Sequence, residues 1–250
     1  MVLHIVLGLL LLVFPLGVLY LFDRKLMRQM IVAIVRMIGQ LLVLCLMVWG
    51  LLHYEHWWLS LLWLLGLVGW SSVVVAHRCR LDWRRFLWPV GAGLLSGVLV
   101  VGLYLLFAVL PVQRAMDARW FVPLMALLAG HSMSMLILGL SSYCGNLKAD
   151  EQQYEFLRGN GTPHLRAIRP FIRRAFQAVL APTAANLSVL GAYAMPLLVC
   201  GLLLGGVQPI NVFVVTPLLM IGCVASSVIA LSIAIWQMDR KLFDQFGKLR

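Results

Sequence analysis

Seven stretches of this chain stay apolar for about twenty residues each, and none of its nine acidic residues falls inside them. They run at about 3–22, 30–52, 57–76, 88–111, 120–143, 183–205 and 210–236. A helix of about 20 apolar residues crosses the hydrocarbon of a bilayer, where only helices and closed barrels satisfy their own backbone. Composition argues against a water-soluble alternative. Hydrophobic residues make up 62% of the chain and charged residues 12%, whereas about a quarter of a soluble domain is charged. Such an excess cannot be hidden in a core of 250 residues, so lipid is the expected solvent. The expected fold class is an all-α integral membrane protein of seven transmembrane helices, with residues 1–250 forming a single transmembrane domain.

The formal charge of +11 is distributed by topology. With seven spans, one side of the membrane receives Arg24, Lys25, Arg28 and Arg36, then Arg78, Arg80, Arg84 and Arg85. It also receives Lys148, Arg158, Arg166, Arg169, Arg173 and Arg174, and finally Arg240, Lys241, Lys248 and Arg250. The opposite side keeps only Arg114 and Arg119. The excess of Lys and Arg in cytoplasmic loops then predicts an N-terminus outside and a C-terminus in the cytoplasm. The charge needs no nucleic acid to explain it; the bilayer is the expected partner. His53–Trp58, Trp83, Trp88 and Trp120 flank the runs at headgroup depth. The first run lacks a basic segment before it and is followed by Asp23-Arg24-Lys25, which predicts a retained span instead of a cleaved signal. Cys45, Cys79, Cys144, Cys200 and Cys223 show no metal or disulfide spacing.

The longest polar stretch, about 145–180, lies on the cytoplasmic side and contains EFLRGNGTPHLRAIRPFIRRAF, Glu155–Phe176. The spacing predicts that the fifth span continues as a helix to Gly159. Gly-Asn-Gly then breaks it, and Thr162-Pro163 opens a second helix as N-cap and first-turn proline. That helix, about 163–180, places Leu165, Ile168, Ile172 and Phe176 on one stripe and Arg166, Arg169, Arg173 and Arg174 largely on the other side. Two roles suit it: lying on the anionic inner leaflet, or docking a cytoplasmic partner. A bare connection between spans would not need about 40 residues.

Polar residues within spans usually face a bundle interior or a cavity. Arg36 is close enough to the cytoplasmic surface to snorkel, with Gln40 one turn deeper on the same face. His131 shares a helical face with Ser134 and Met135, a set suited either to interhelical hydrogen bonding or to a borderline metal. Thr183, Asn186 and Tyr193 form a stripe in the sixth span, and Met195 and Cys200 flank Pro196. Gly93-x-x-x-Gly97 and Gly201-x-x-x-Gly205 are small-residue faces that permit close helix approach. Ser132 beside His131 cannot form a nucleophile–base pair, since adjacent helical residues point about 100° apart.

Three stretches, in order, resemble the Fet-type iron-export permeases of ABC transporters and their plant aluminium-tolerance relatives. They are VRMIGQLLVL at 35–44, LLAGHSM at 127–133, and Gly161-Thr162-Pro163 followed by LAPTAANLSVLGAYAMPLLVCGLLLGGVQP at 180–209. The chain departs from that family at Ala185 and Ser188, at Met195-Pro196-Leu197 and at His131. The resemblance implies a permease subunit with a cytoplasmic coupling helix between spans 5 and 6, driven by a separate ATPase. It also implies a homodimer in the bacterial cytoplasmic (inner) membrane and export of a metal such as iron. ATP and Mg would belong to the partner chain. Glu155, Arg158, Gly159, Gly161, Thr162 and Pro163 would seat on the ATPase. Arg36, Gln40, His131, Ser134, Met135, Thr183, Asn186, Tyr193, Met195 and Cys200 would line the path. No Gly-x-x-x-x-Gly-Lys-Ser/Thr phosphate loop occurs in the chain, so it is not expected to be an enzyme itself. The alternative is an ATP-independent carrier or channel.

Overall fold

Wherever the apolar runs fall within the described residues, they are helical. The computed structural model describes residues 13–22, 24–54, 57–79, 83–109, 117–190 and 197–242. These form α1 (Val13–Phe22), α2 (Arg24–Tyr54), α3 (Trp57–Arg78), α4 (Trp83–Tyr104) and α5 (Ala118–Ala149). They continue as α6 (Glu151–Gly159), α7 (His164–Leu190), α8 (Leu197–Leu204) and α9 (Pro209–Leu242). No strand occurs among the described residues. Five segments are long and apolar enough to cross a membrane: Arg24–Leu51, Trp57–Arg78, Phe86–Val109, Ala118–Ala149 and Pro209–Leu242. The chain is thus an all-helical integral membrane protein with five such helices among the described residues. They correspond to the second, third, fourth, fifth and seventh apolar runs. Of the first run only α1 is described. The sixth is represented by the end of α7 and by α8, with residues 191–196 outside the description.

The chain divides into two compact units, Met1–Glu55 and His56–Arg250. In the first, α1 packs on α2, and the Arg24 guanidinium lies 5.0 Å from the Tyr20 ring centroid while donating to its phenol oxygen at 3.4 Å. Along α2, Val32, Val35, Leu42 and Leu46 are all exposed, as suits a helix solvated by lipid.

The second unit is a bundle in which α4, α5 and α9 pack on one another. On its flanks, α3 lies against α4 and α5, and α7 lies mainly against α5. Lipid supplies no hydrophobic drive between helices, so close van der Waals fit must hold them. The Gly93/Gly97 face supplies that fit on α4, and its complement is Ser226, Ala230 and Ala234 of α9. A Cβ at position 93 would stand 2.6 Å from the Ala230 carbonyl oxygen, and one at position 97 would stand 2.5 Å from that of Ser226. Two small-residue stripes therefore meet backbone to backbone. Ser226 also shares a buried hydroxyl–hydroxyl hydrogen bond with Ser132 of α5, at 2.9 Å, so three helices converge on it. At Gly139 of α5 the space is instead filled by side chains, Leu231 of α9 and Val179 of α7. At its end α4 passes into a π-helical turn, Leu105–Val109, whose Leu105 fills the space left by Gly222 of α9.

The second small-residue face behaves differently. An added Cβ at Gly201 would meet nothing within 4 Å, and one at Gly205 would meet only carbonyl oxygens of its own helix. No described helix uses that stripe for packing.

Candidate functional site

The polar stretch folds as expected into a helix, a sharp turn and a second helix, with corrections in detail. The fifth apolar run and the helix that follows it in the polar stretch are two helices, broken at Asp150, whose N–H donates to the Asn146 carbonyl at 2.9 Å. Helix α6 closes with a paired-bond glycine cap. The Thr162 N–H donates to the Leu157 carbonyl at 3.1 Å, and the Gly161 N–H donates to the Arg158 carbonyl at 3.0 Å. This pattern needs a left-handed residue just past the helix end, and Gly161 supplies it at φ 78°. Gly159 is still helical, so only the second glycine of Gly-Asn-Gly is conformationally required.

The Pro163 carbonyl accepts the first bonds of α7, from Arg166 at 2.9 Å and Ala167 at 3.1 Å. Pro163 thus occupies the N-cap position expected for Thr162, whose N–H is already used in closing α6. The apolar stripe is rotated as well. The fully buried residues of α7 are Ala167, Ile168, Phe171, Ala175 and Val179, whereas Leu165 is 71% exposed. The face turned inward therefore includes the small residues Ala167 and Ala175 on a helix that packs mainly against α5. On the basic side, Arg166, Arg169 and Arg173 are exposed, but Arg174 pairs with Asp150 at 2.6 Å. That pair ties α7 back to the α5–α6 break. Because it is exposed, it stabilises by about 1 kcal/mol at most.

The turn therefore projects as a tip carrying Glu155, Arg158, Gly159, Gly161, Thr162 and Pro163. All are exposed except the half-buried Thr162. Arg158 spans the turn, donating from Nη1 to the Thr162 carbonyl at 3.3 Å. Two exposed apolar residues outside the expected docking set stand on either side of it: Phe156, 69% exposed, and Leu165, which the sequence pattern assigns to the apolar stripe. The signal was present, since both are large apolar residues in the one polar stretch of the chain.

Beneath the tip, four side chains from four helices join. His164, the first residue of α7, lies with Nε2 2.9 Å from Asp239 Oδ2 on α9. Its Nδ1 is 3.0 Å from the Tyr154 hydroxyl of α6. The Tyr143 hydroxyl of α5 donates to Asp239 Oδ1 at 3.5 Å. Both tyrosines are fully buried. Burial pushes the Tyr154 phenol above the ordinary tyrosine range; Arg158 opposes that shift and Asp239 adds to it. The Tyr154 phenol can donate to His164 Nδ1 in the tautomer whose Nε2–H donates to the Asp239 carboxylate.

The expected path residues are less gathered. Arg36 and Gln40 are exposed on α2, in the first unit. In the second, the Thr183 hydroxyl of α7 lies 3.6 Å from Met135 Sδ of α5, while its stronger bond goes to the Val179 carbonyl at 2.6 Å. Ser134 does not join His131: its hydroxyl is on the exposed side and donates to Gly130 of its own helix at 3.1 Å. The half-buried His131 has its Nδ1 sealed from solvent. The Cys223 backbone of α9 lies near it, but the geometry falls short of a hydrogen bond. Asn186 is exposed on α7 and Cys200 half-buried on α8. Tyr193 and Met195 lie outside the described residues. No group of three His, Cys, Asp or Glu side chains that could hold a metal forms among the described residues.

No curated protein and no solved structure matches the chain. A family profile matches residues 2–243, nearly its whole length, and the chain belongs to the uncharacterised protein family UPF0014, a membrane protein family associated with ABC transporters.

Proposed function

We propose that this chain is the permease subunit of an ABC transporter, driven by a separate cytoplasmic ATPase and working as a homodimer in the bacterial cytoplasmic membrane. The observation that carries the reading is the tip at Phe156–Leu165. It is rigid, being closed by backbone bonds around Gly161, and it stands at the joint of helices that continue into the bundle. A short rigid element at such a joint can turn a partner's closing motion into tilting of whole helices. The tip faces the cytoplasm on this reading, as do the basic residues around it. ATP and Mg bind in the partner, because this chain lacks a phosphate loop.

The test is reconstitution with the ATPase. Gly161→Pro removes the N–H that bonds Arg158 and forbids a positive φ, and Glu155→Lys reverses a charge on the exposed face. The combined variant should insert normally, yet its ATP-driven transport should fall to background. Normal transport by it would overturn the reading.

The cargo on this reading is a metal ion, with iron as the first candidate through the resemblance to iron-export permeases. His131 is the residue that supports this best, as a buried ring nitrogen without a hydrogen-bond partner inside a spanning helix. Replacing His131 with alanine should change the sensitivity of cells to iron, zinc or copper. An unchanged profile across all three removes His131 from the path.

A further inference from the structure

Asp239 stands on α9, outside the helix–turn–helix that forms the tip. Its carboxylate nevertheless holds the first residue of α7 and, through His164, the last buried aromatic of α6. Its other oxygen takes the Tyr143 hydroxyl of α5. Hydrogen bonds to a charged group in a partly buried site are stronger than neutral ones, and the Asp239 side chain is only 14% exposed. From Asp239 the same helix runs back along Ala234, Ala230 and Ser226, the stripe set against Gly93 and Gly97 of α4. A rigid connection thus passes from the tip, through one carboxylate, to the tightest helix contact of the bundle.

We propose that Tyr143, Tyr154, His164 and Asp239 form a strut that makes α9, and α4 seated on it, move with the docking tip. The proposal rests on the permease reading. In it His164 and Asp239 are positioning residues: they touch neither ATP nor cargo, but decide whether motion of the tip reaches the helices that open the path. Without the strut the tip still docks and the ATPase still turns over, but less of the tip's motion reaches α9 and α4.

The experiment uses the full chain reconstituted with its ATPase and measures three quantities: binding of the ATPase, the rate of ATP hydrolysis, and ions transported per ATP. The variants are His164→Ala, Asp239→Asn and the pair together. Each should keep ATPase binding and hydrolysis and lower the transport ratio roughly tenfold, the scale of one hydrogen bond to a charged group. The double variant should be no worse than either single one. His164→Gln keeps a donor for Asp239 and an acceptor for Tyr154, so it should recover most of the ratio. It also serves if the alanine variant fails to fold. A transport ratio that stays at the wild-type value, or falls in the glutamine variant as far as in the alanine one, would overturn the strut. Failure of the wild-type chain to bind any ATPase would instead overturn the permease reading, so the two outcomes are separable.

Discussion

Replacing Gly97 with alanine lowers the thermal midpoint of the purified protein by several degrees, and replacing it with leucine prevents stable accumulation in the membrane. The added Cβ would sit 2.5 Å from the Ser226 carbonyl oxygen and 3.0 Å from the Ala230 Cβ. Neither is the flexible end of a side chain, so α9 must move away from α4. Overpacking of this kind costs about 1–3 kcal/mol. It also pulls on the Ser132–Ser226 hydroxyl pair, since Ser226 belongs to both contacts. Gly145→Ala is the control, because nothing lies within 4 Å of a Cβ there. Exchanging glycine for alanine in an open helical position stabilises by up to about 1 kcal/mol. Opposite shifts at the two positions are expected in thermal unfolding in detergent. A Gly97→Ala protein as stable as the control would mean that the α4–α9 seam is looser than described.

The second large effect is at the tip. Phe156→Ser with Leu165→Ser should weaken ATPase binding roughly 30-fold or more, the loss expected for removing an apolar hot spot. Both side chains are about 70% exposed, so the permease should fold and insert as before. Co-purification at rising salt separates this from the exposed arginines of α7. Loss of an apolar anchor weakens binding at every ionic strength, whereas loss of a charge matters less as salt rises. If the double variant binds its ATPase like the wild type, docking takes place elsewhere on the chain.

Much of this architecture is legible in the residues, because a bilayer demands long apolar helices and a glycine turn leaves a plain mark. The Gly161 break, the two helices around it and the small-residue face of α4 all follow from local pattern. What the local pattern leaves open is the partner of each face. Gly93 and Gly97 announce a close approach, but only the fold shows that Ser226, Ala230 and Ala234 receive it. The stripe on α7 is misread by periodicity alone: the buried face runs through Ala167, Ile168, Phe171, Ala175 and Val179 and leaves Leu165 outside. His164 reads as an ordinary first-turn residue and Asp239 as a charge beyond the last span. Tyr143 and Tyr154 stand on different helices, on either side of the break at Asp150, so periodicity does not show that both reach the His164–Asp239 pair. Where the sixth run crosses residues 191–196, Tyr193 and Met195, expected to line a path, lie outside the described structure.

The way α6 ends has a practical use. Its closure depends on main-chain bonds from Gly161 and Thr162, and Asn160 just before them has an ordinary φ of −82° and an exposed side chain. The side chain at 160 takes no part in that closure, so the position can carry a fluorophore or spin label without disturbing the fold that surrounds it. A label there would sit at the apex of the tip, and loss of its mobility on adding the proposed ATPase would report docking in real time with no change to the residues proposed to make the contact.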